Sequence, residues 1–188
     1  PLYQSIVDIF CRDDYVKSVV LSHLKEEKNL KILDIACGTG KLIKRLAKQQ
    51  GECCHIFGTD IDPTMVEKAR KKTKDWKNVT VNLGNCTKLD QFEDEMFDVV
   101  IESLVFHHLK DEQKLLAINE IARVLKPGGL FYFVDWVQPD TIYSKLAFNI
   151  VKILDGVENL RSHLNNSVIQ MIESRMEKVE QSSSIIET

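Results

Sequence analysis

The chain has 188 residues, 44% of them hydrophobic and 28% charged, with a formal net charge of −3. That length builds one domain with a sizeable core and is short for two, and the charge balance draws the whole protein to neither nucleic acid nor an anionic membrane. No run approaches the ~18 apolar residues of a membrane span, and the five cysteines (Cys11, Cys37, Cys53, Cys54, Cys86) include no C-x-x-C pair, so they read as reduced thiols of a cytoplasmic protein.

In chain order, Val16, Val19, Val20 and Leu24 recur at helical spacing, and residues 1–28 are expected to form a helical cap. The rhythm then changes. Leu30–Ile35 reads as a strand, and Leu42, Ile43, Leu46 and Ala47 put one apolar face on the helix that follows. His55–Thr59 is a second strand. Asp62-Pro63 is an N-cap followed by proline at the first helical position, and Met65, Val66 and Ala69 face that helix inward. Val79–Leu83 and Phe97–Glu102 ("FDVVIE") are strands three and four. Asp111 is expected to cap a helix that buries Leu115, Ile118, Ile121, Ala122 and Leu125. "KPGG" (Lys126–Gly129) should stop it, and Leu130–Val134 is strand five.

Strands alternating with helices at this spacing pair in parallel through right-handed crossovers. The fold class is therefore α/β, a doubly wound, mostly parallel sheet. Residues 30–136 form its core, within a single domain covering 1–188. Beyond it, the apolar stretch Thr141–Leu154 and the helical pattern of Asn165–Met176 place a helical lid or substrate region in 139–176. Residues 177–188 read as a terminal strand.

The stretch 31–42, "KILDIACGTGKL", raises the functional question. Ligands of doubly wound sheets sit at the carboxyl ends of the strands, where strand order reverses. Glycines let the backbone approach a ligand closely there. A dinucleotide pyrophosphate fits poorly, because the pattern Gly38-x-Gly40 continues to Ile43, where that fingerprint wants Gly or Ala. Asp34 puts a negative charge just before the glycines, and Asp60 lies twenty residues beyond Gly40, where a carboxylate can accept from both ribose hydroxyls. The ligand so described has a ribose and a cationic arm.

These residues resemble the class I S-adenosylmethionine-dependent methyltransferases. "LDIACGTG" is similar to that family's first motif and "GTDIDPTMVEKAR" to its second, while "LGNCTKL" resembles its adenine-contacting segment. "FDVVIESLVFHHLKD" followed by "ARVLKPGG" resembles the signature of strand four and of the entry to strand five. The matches run in family order from about Lys31 to Val134, and among subgroups the lean is to quinone-type and other small-molecule enzymes.

The resemblance implies S-adenosyl-L-methionine as cofactor and S-adenosyl-L-homocysteine as product. Asp34, Ala36, Gly38, Thr39 and Gly40 would line the methionine arm, with Asp34 acting on the amino group directly or through water. Asp60 would hold the ribose, Ile61 would pack on the adenine face, Asn85 and Cys86 would meet its edge, and Ser103 would sit beside the cofactor. The family fold ends in an antiparallel hairpin. Strand seven has no counterpart here, which leaves two readings: a truncated chain, or an edge completed by a second copy in a homodimer.

Placing a nucleophile in line with an activated methyl can lower a barrier by roughly 7–11 kcal/mol. A base is needed only where the acceptor must lose a proton, and His107, His108 and Asp135 are the candidates. Adjacent side chains diverge on a helix or strand, so one metal between the two histidines is not expected. Trp136 and Tyr143 are candidate walls of the acceptor site. The lysines of "KARKKTKDWK" read as a solvated face, and no nucleic acid partner or membrane span is expected. The partner the resemblance implies is a small-molecule methyl acceptor. Two alternatives stand beside this reading: a module that binds the cofactor without turnover, and an NAD-dependent oxidoreductase.

Overall fold

The computed structural model describes residues 13–24, 28–135, 162–163, 165 and 167–176. Five strands form one sheet in the order β3-β2-β1-β4-β5: β1 (Lys31–Ile35), β2 (His55–Asp60), β3 (Val79–Leu83), β4 (Phe97–Ser103) and β5 (Leu125–Val134). Every pairing is parallel. The doubly wound α/β expectation is met, and strand order reverses between β1 and β4. Their carboxyl ends open side by side, with Ile35 opposite Glu102.

Two cores sandwich the sheet. On one face, α1 (Asp13–His23), α2 (Lys41–Gln50) and α3 (Pro63–Thr73) bury Val20, Leu42, Ile43, Leu46, Val66 and Ala69 against Ile32, Ile56 and Ile101. On the other, α4 (Asp111–Val124) and α5 (Ser167–Glu173) close over Leu33, Ile35, Val100 and an edge-to-face trio of Phe57, Phe92 and Phe97. Ile32, Leu33 and Ile35 are fully buried, and each such side chain contributes about 1.5–3 kcal/mol of transfer free energy.

Local signals landed well. Asp62 caps α3, its side chain accepting from the Thr64 amide at 2.7 Å, with Pro63 as the first helical residue. Asn165 Oδ1 likewise accepts from the Ser167 amide at the start of α5, which ends at Glu173 rather than Met176.

Three expectations need correction. The N-cap of α4 is Lys110, not Asp111. The Lys110 amide donates to Gln113 Oε1 at 3.1 Å, while Asp111 turns back to accept from Lys114 Nζ. Leu115 is exposed, and the buried stripe instead runs through Lys114, Ala117, Ile118, Ile121 and Val124. Lys114 enters that stripe because Ser162 Oγ, 2.7 Å away, and Asp111 satisfy its ammonium. Finally, β5 begins at Leu125, directly after α4, rather than at Leu130. "KPGG" is an insertion within the strand: pairing jumps from Phe97–Leu125 to Val99–Leu130, and Gly128 takes a φ of 75° to make the detour.

Trp136, Tyr143, the 141–154 stretch, the terminal strand of 177–188 and the first twelve residues lie outside the described residues.

Candidate active site

The turn after β1 is wound tightly. Ala36, Gly38 and Gly40 take φ values of 52°, 53° and 71°, so left-handed residues alternate through it. A left-handed alanine costs energy, and such strain persists only where the surroundings enforce it. The Cys37 amide donates to the Thr59 carbonyl and the Gly40 amide to the Cys37 carbonyl, both at 2.9 Å. A Cβ on Gly40 would meet Ala69 Cβ at 3.0 Å, which explains glycine at that position. Nothing lies within 4 Å of a Cβ built on Gly38, so space opens in front of it.

Asp60 ties this turn to the end of β2. Its Oδ2 accepts from the Gly38 amide at 2.8 Å and its Oδ1 from the Asp62 amide at 2.9 Å. Each carboxylate oxygen has two lone pairs, so each retains one for a ligand hydroxyl. Asp34 is buried on β1, between Gly58 of β2 and Ile101 of β4. Between these acids lies Cys37, whose thiol is pushed up by burial and then by the charges of Asp34 and Asp60. It is therefore a protonated packing group and no nucleophile.

The remaining expected cofactor positions are distributed as follows. Thr39 turns its hydroxyl to α3, where it accepts from Lys72 Nζ at 2.9 Å. Ile61 is 69% exposed directly after Asp60, and Leu83, opposite Asp60 across the strands, is 57% exposed. Two large apolar side chains at one strand edge suit the face of a planar ring better than they suit water. Asn85 Oδ1 accepts from the Thr87 amide at 3.0 Å, closing a small turn, and Cys86 packs half-buried behind it. Burial, then the charges of Glu102 and Asp60, push the Cys86 thiol up to about 11. Ser103 ends β4, half-buried opposite Val134.

The three candidate bases are not equivalent. His107 and Asp135 come together: the His107 amide donates to Asp135 Oδ2 at 3.0 Å, and His107 Nδ1 lies 2.7 Å from Oδ1, with both side chains buried. His108 is exposed. Its ring centroid lies 4.0 Å from that of His107 with the planes tilted by 47°, so the two rings meet rather than diverge. Both lie on the short 3-10 turn Phe106–His108. No cluster of three or more metal-ligating side chains occurs among the described residues.

Glu102 is the group that sequence reasoning missed. It is fully buried at the end of β4, where its Oε1 accepts from the Val105 and Phe106 amides at 2.8 and 3.2 Å. Burial, then the Asp135 charge, hold its carboxyl well above the usual carboxylate range, outweighing the amides that favour the anion. The signal was present in "FDVVIE": an acid at the tip of an apolar run, as Asp34 is in "KILDI".

Beside the turn lies a cavity of about 400 Å³ lined by Thr39, Lys68, Lys71 and Lys72. Its walls are cationic, and burial together with Lys41, Lys44 and Lys17 lowers the Lys72 ammonium. Such a wall repels a sulfonium. The acidic carboxyl edge of β1, β2 and β4 is the surface that suits one.

Comparison with known proteins agrees with this geometry. The family model described as "Methyltransferase domain" matches residues 26–184. A demethylmenaquinone methyltransferase of Staphylococcus saprophyticus is 31% identical over 131 residues, which cover 70% of this chain and 55% of that protein. The chain thus spans about half the length of that curated relative. Among solved structures, the YcgJ protein of Bacillus subtilis superposes with a TM-score of 0.67 at 24% identity, covering 86% of this chain and 68% of the other, which bears on the fold alone. The PH0226 protein of Pyrococcus horikoshii gives 0.59 at 28% identity, covering 76% and 62%. With a five-stranded parallel sheet, a left-handed glycine turn and that match, the chain belongs to the methyltransferase domain family, with the class I S-adenosylmethionine-dependent methyltransferase fold.

Proposed function

We propose that this chain binds S-adenosyl-L-methionine at the carboxyl edge of β1, β2 and β4 and transfers its methyl group to a small-molecule acceptor. The observation that carries the reading is the pairing of a left-handed Ala36–Gly40 turn with two buried acids, Asp34 and Asp60, the second holding the turn through the Gly38 amide. A negative, water-poor edge favours a ligand that carries positive charge. The space before Gly38 admits it, and the exposed Ile61 offers an apolar face for a base.

When bound, the cofactor supplies an electrophilic methyl on a sulfonium, a ready leaving group. The chain's own residues do the rest. Asp60 orients the ribose through the lone pairs its amide bonds leave. The strand ends of β1 and β4 fix the direction of approach, which is where the barrier is lowered. For an acceptor that loses a proton, His107 takes it at Nε2, because Nδ1 is committed to Asp135, which also stabilises the imidazolium so formed. The Staphylococcus relative's name supports a quinone-type ring as acceptor.

Calorimetric titration with S-adenosyl-L-homocysteine, with NAD⁺ in parallel, tests the reading. Saturable binding of the first and none of the second is expected, and Asp60→Ala should weaken it at least about tenfold, the equivalent of one lost hydrogen bond to a charged group. Binding of NAD⁺ alone, or unchanged affinity in D60A, would overturn it.

A further inference from the structure

The segment after β4 is held unusually. Leu104 is left-handed at φ 60°, and its amide donates to the Val134 carbonyl at 2.9 Å. The next three amides in succession then point at carboxyl oxygens: Val105 and Phe106 at Glu102 Oε1, and His107 at Asp135 Oδ2. A left-handed residue followed by converging amides is a natural anion cradle. Here the chain fills the cradle with two of its own acids.

Glu102 and Asp135 are buried carboxylates at neighbouring strand ends, and two like charges held close in a medium of low dielectric disfavour each other's ionisation. A proton on one of them removes that repulsion. Asp135 has the stronger claim to remain ionised, since both its oxygens are engaged by His107. Glu102 has the weaker claim. Its Oε2 is buried with no hydrogen-bond partner among the described residues, which suits a hydroxyl better than half of an anion.

We propose that Glu102 is a positioning residue carried as the neutral acid. Through Oε1 it clasps the Val105 and Phe106 amides, and so holds the turn that sets His107 against Asp135. It leaves Asp135 as the carboxylate that faces His107. The titratable groups on the elements around it are Asp135 at the end of β5, whose charge bears on its proton, Cys86 from the loop after β3, whose thiol is protonated, and His107 and His108 on the turn itself. The role assigned to His107 rests on the proposed function; the charge state of Glu102 does not.

The sign of a pH dependence decides the matter. A carboxyl whose proton is held more tightly in the folded than in the unfolded chain stabilises fully below the ordinary glutamate value of about 4.3. That stabilisation is lost as pH rises through the folded value. Denaturant unfolding of wild type and Glu102→Gln, compared from pH 5 upward, should therefore show wild type losing ground to E102Q by up to about tenfold in the unfolding constant per pH unit. An ionised Glu102 held by its amides would give the opposite sign, gaining on E102Q from acid pH upward, and either that or a flat ratio would overturn the proposal. Infrared difference spectra should show a protonated carboxyl at neutral pH that E102Q removes. Hydrogen exchange at Val105 and Phe106 should stay slow in E102Q, whose amide oxygen still accepts, and accelerate at least about tenfold in Glu102→Ala. Equal exchange in all three would sink the positioning role. Binding of S-adenosyl-L-homocysteine, measured on the same samples, separates this outcome from failure of the functional reading.

Discussion

The two halves of the carboxyl edge use one device under different conditions. On the β1–β2 side, Asp60 clasps the Gly38 and Asp62 amides; on the β4–β5 side, Glu102 and Asp135 clasp three successive amides, those of Val105, Phe106 and His107. The first clasp is made by one carboxylate with open space at Gly38 beside it. The second packs two acids and a histidine out of water. A carboxylate at a strand tip therefore does not imply a single role. An acid with open space beside it keeps lone pairs for a ligand, whereas a sealed pair serves the chain's own backbone and must settle its charge internally.

The largest expected effect is on the sealed side. Asp135→Ala strips His107 of both its bonds to the carboxylate and should cost about 3 kcal/mol or more, read by urea denaturation, as expected when two buried donors lose their acceptor at once. A loss under about 1 kcal/mol would mean that the two clasps are energetically alike. On the open side, the glycines separate stability from binding. Gly40→Ala combines a left-handed alanine with the contact at Ala69 and should cost about 2 kcal/mol in the same assay. Gly38→Ala meets nothing, should cost about 1 kcal/mol, and should instead weaken S-adenosyl-L-homocysteine in calorimetry by filling the space before the turn. Reversed outcomes would move the binding surface away from Gly38.

The smallest effect lies at the amino end of β4. Burial raises the Asp98 carboxyl. The Lys126 ammonium at 2.6 Å and the Lys31 amide at 2.8 Å outweigh that, so it stays below the usual range. Its contribution is present above the ordinary aspartate value and is lost as pH falls through the lowered one. Being partly solvated, it should amount to less than about 1 kcal/mol. Asp98→Asn should flatten the stability curve slightly below about pH 4 and leave ligand affinity unchanged.

How far the chain was legible follows the range of the interactions. Val79–Leu83 was read with its observed bounds, because apolar periodicity and flanking breakers are properties of neighbouring residues. So was the Asp62-Pro63 helix start, since a cap and its amide are two residues apart. Lys114 shows where that stops. Its pattern suggests a solvated helix position, yet Ser162, 48 residues away, makes it a buried one. Glu102 looked like the end of an apolar strand, and its significance required Asp135 on the neighbouring strand.

From the sequence alone came the parallel α/β order, the glycine turn with its acids at Asp34 and Asp60, and the family they resemble. All of these depend on local spacing that a linear pattern records. The tertiary structure alone decided that His107 and not His108 meets Asp135, that "KPGG" lies within β5, and that Glu102 is sealed beside a second carboxylate. Those outcomes depend on which strand lies beside which. β5 lies directly beside β4, and that pairing brings together residues 28 positions apart in the chain.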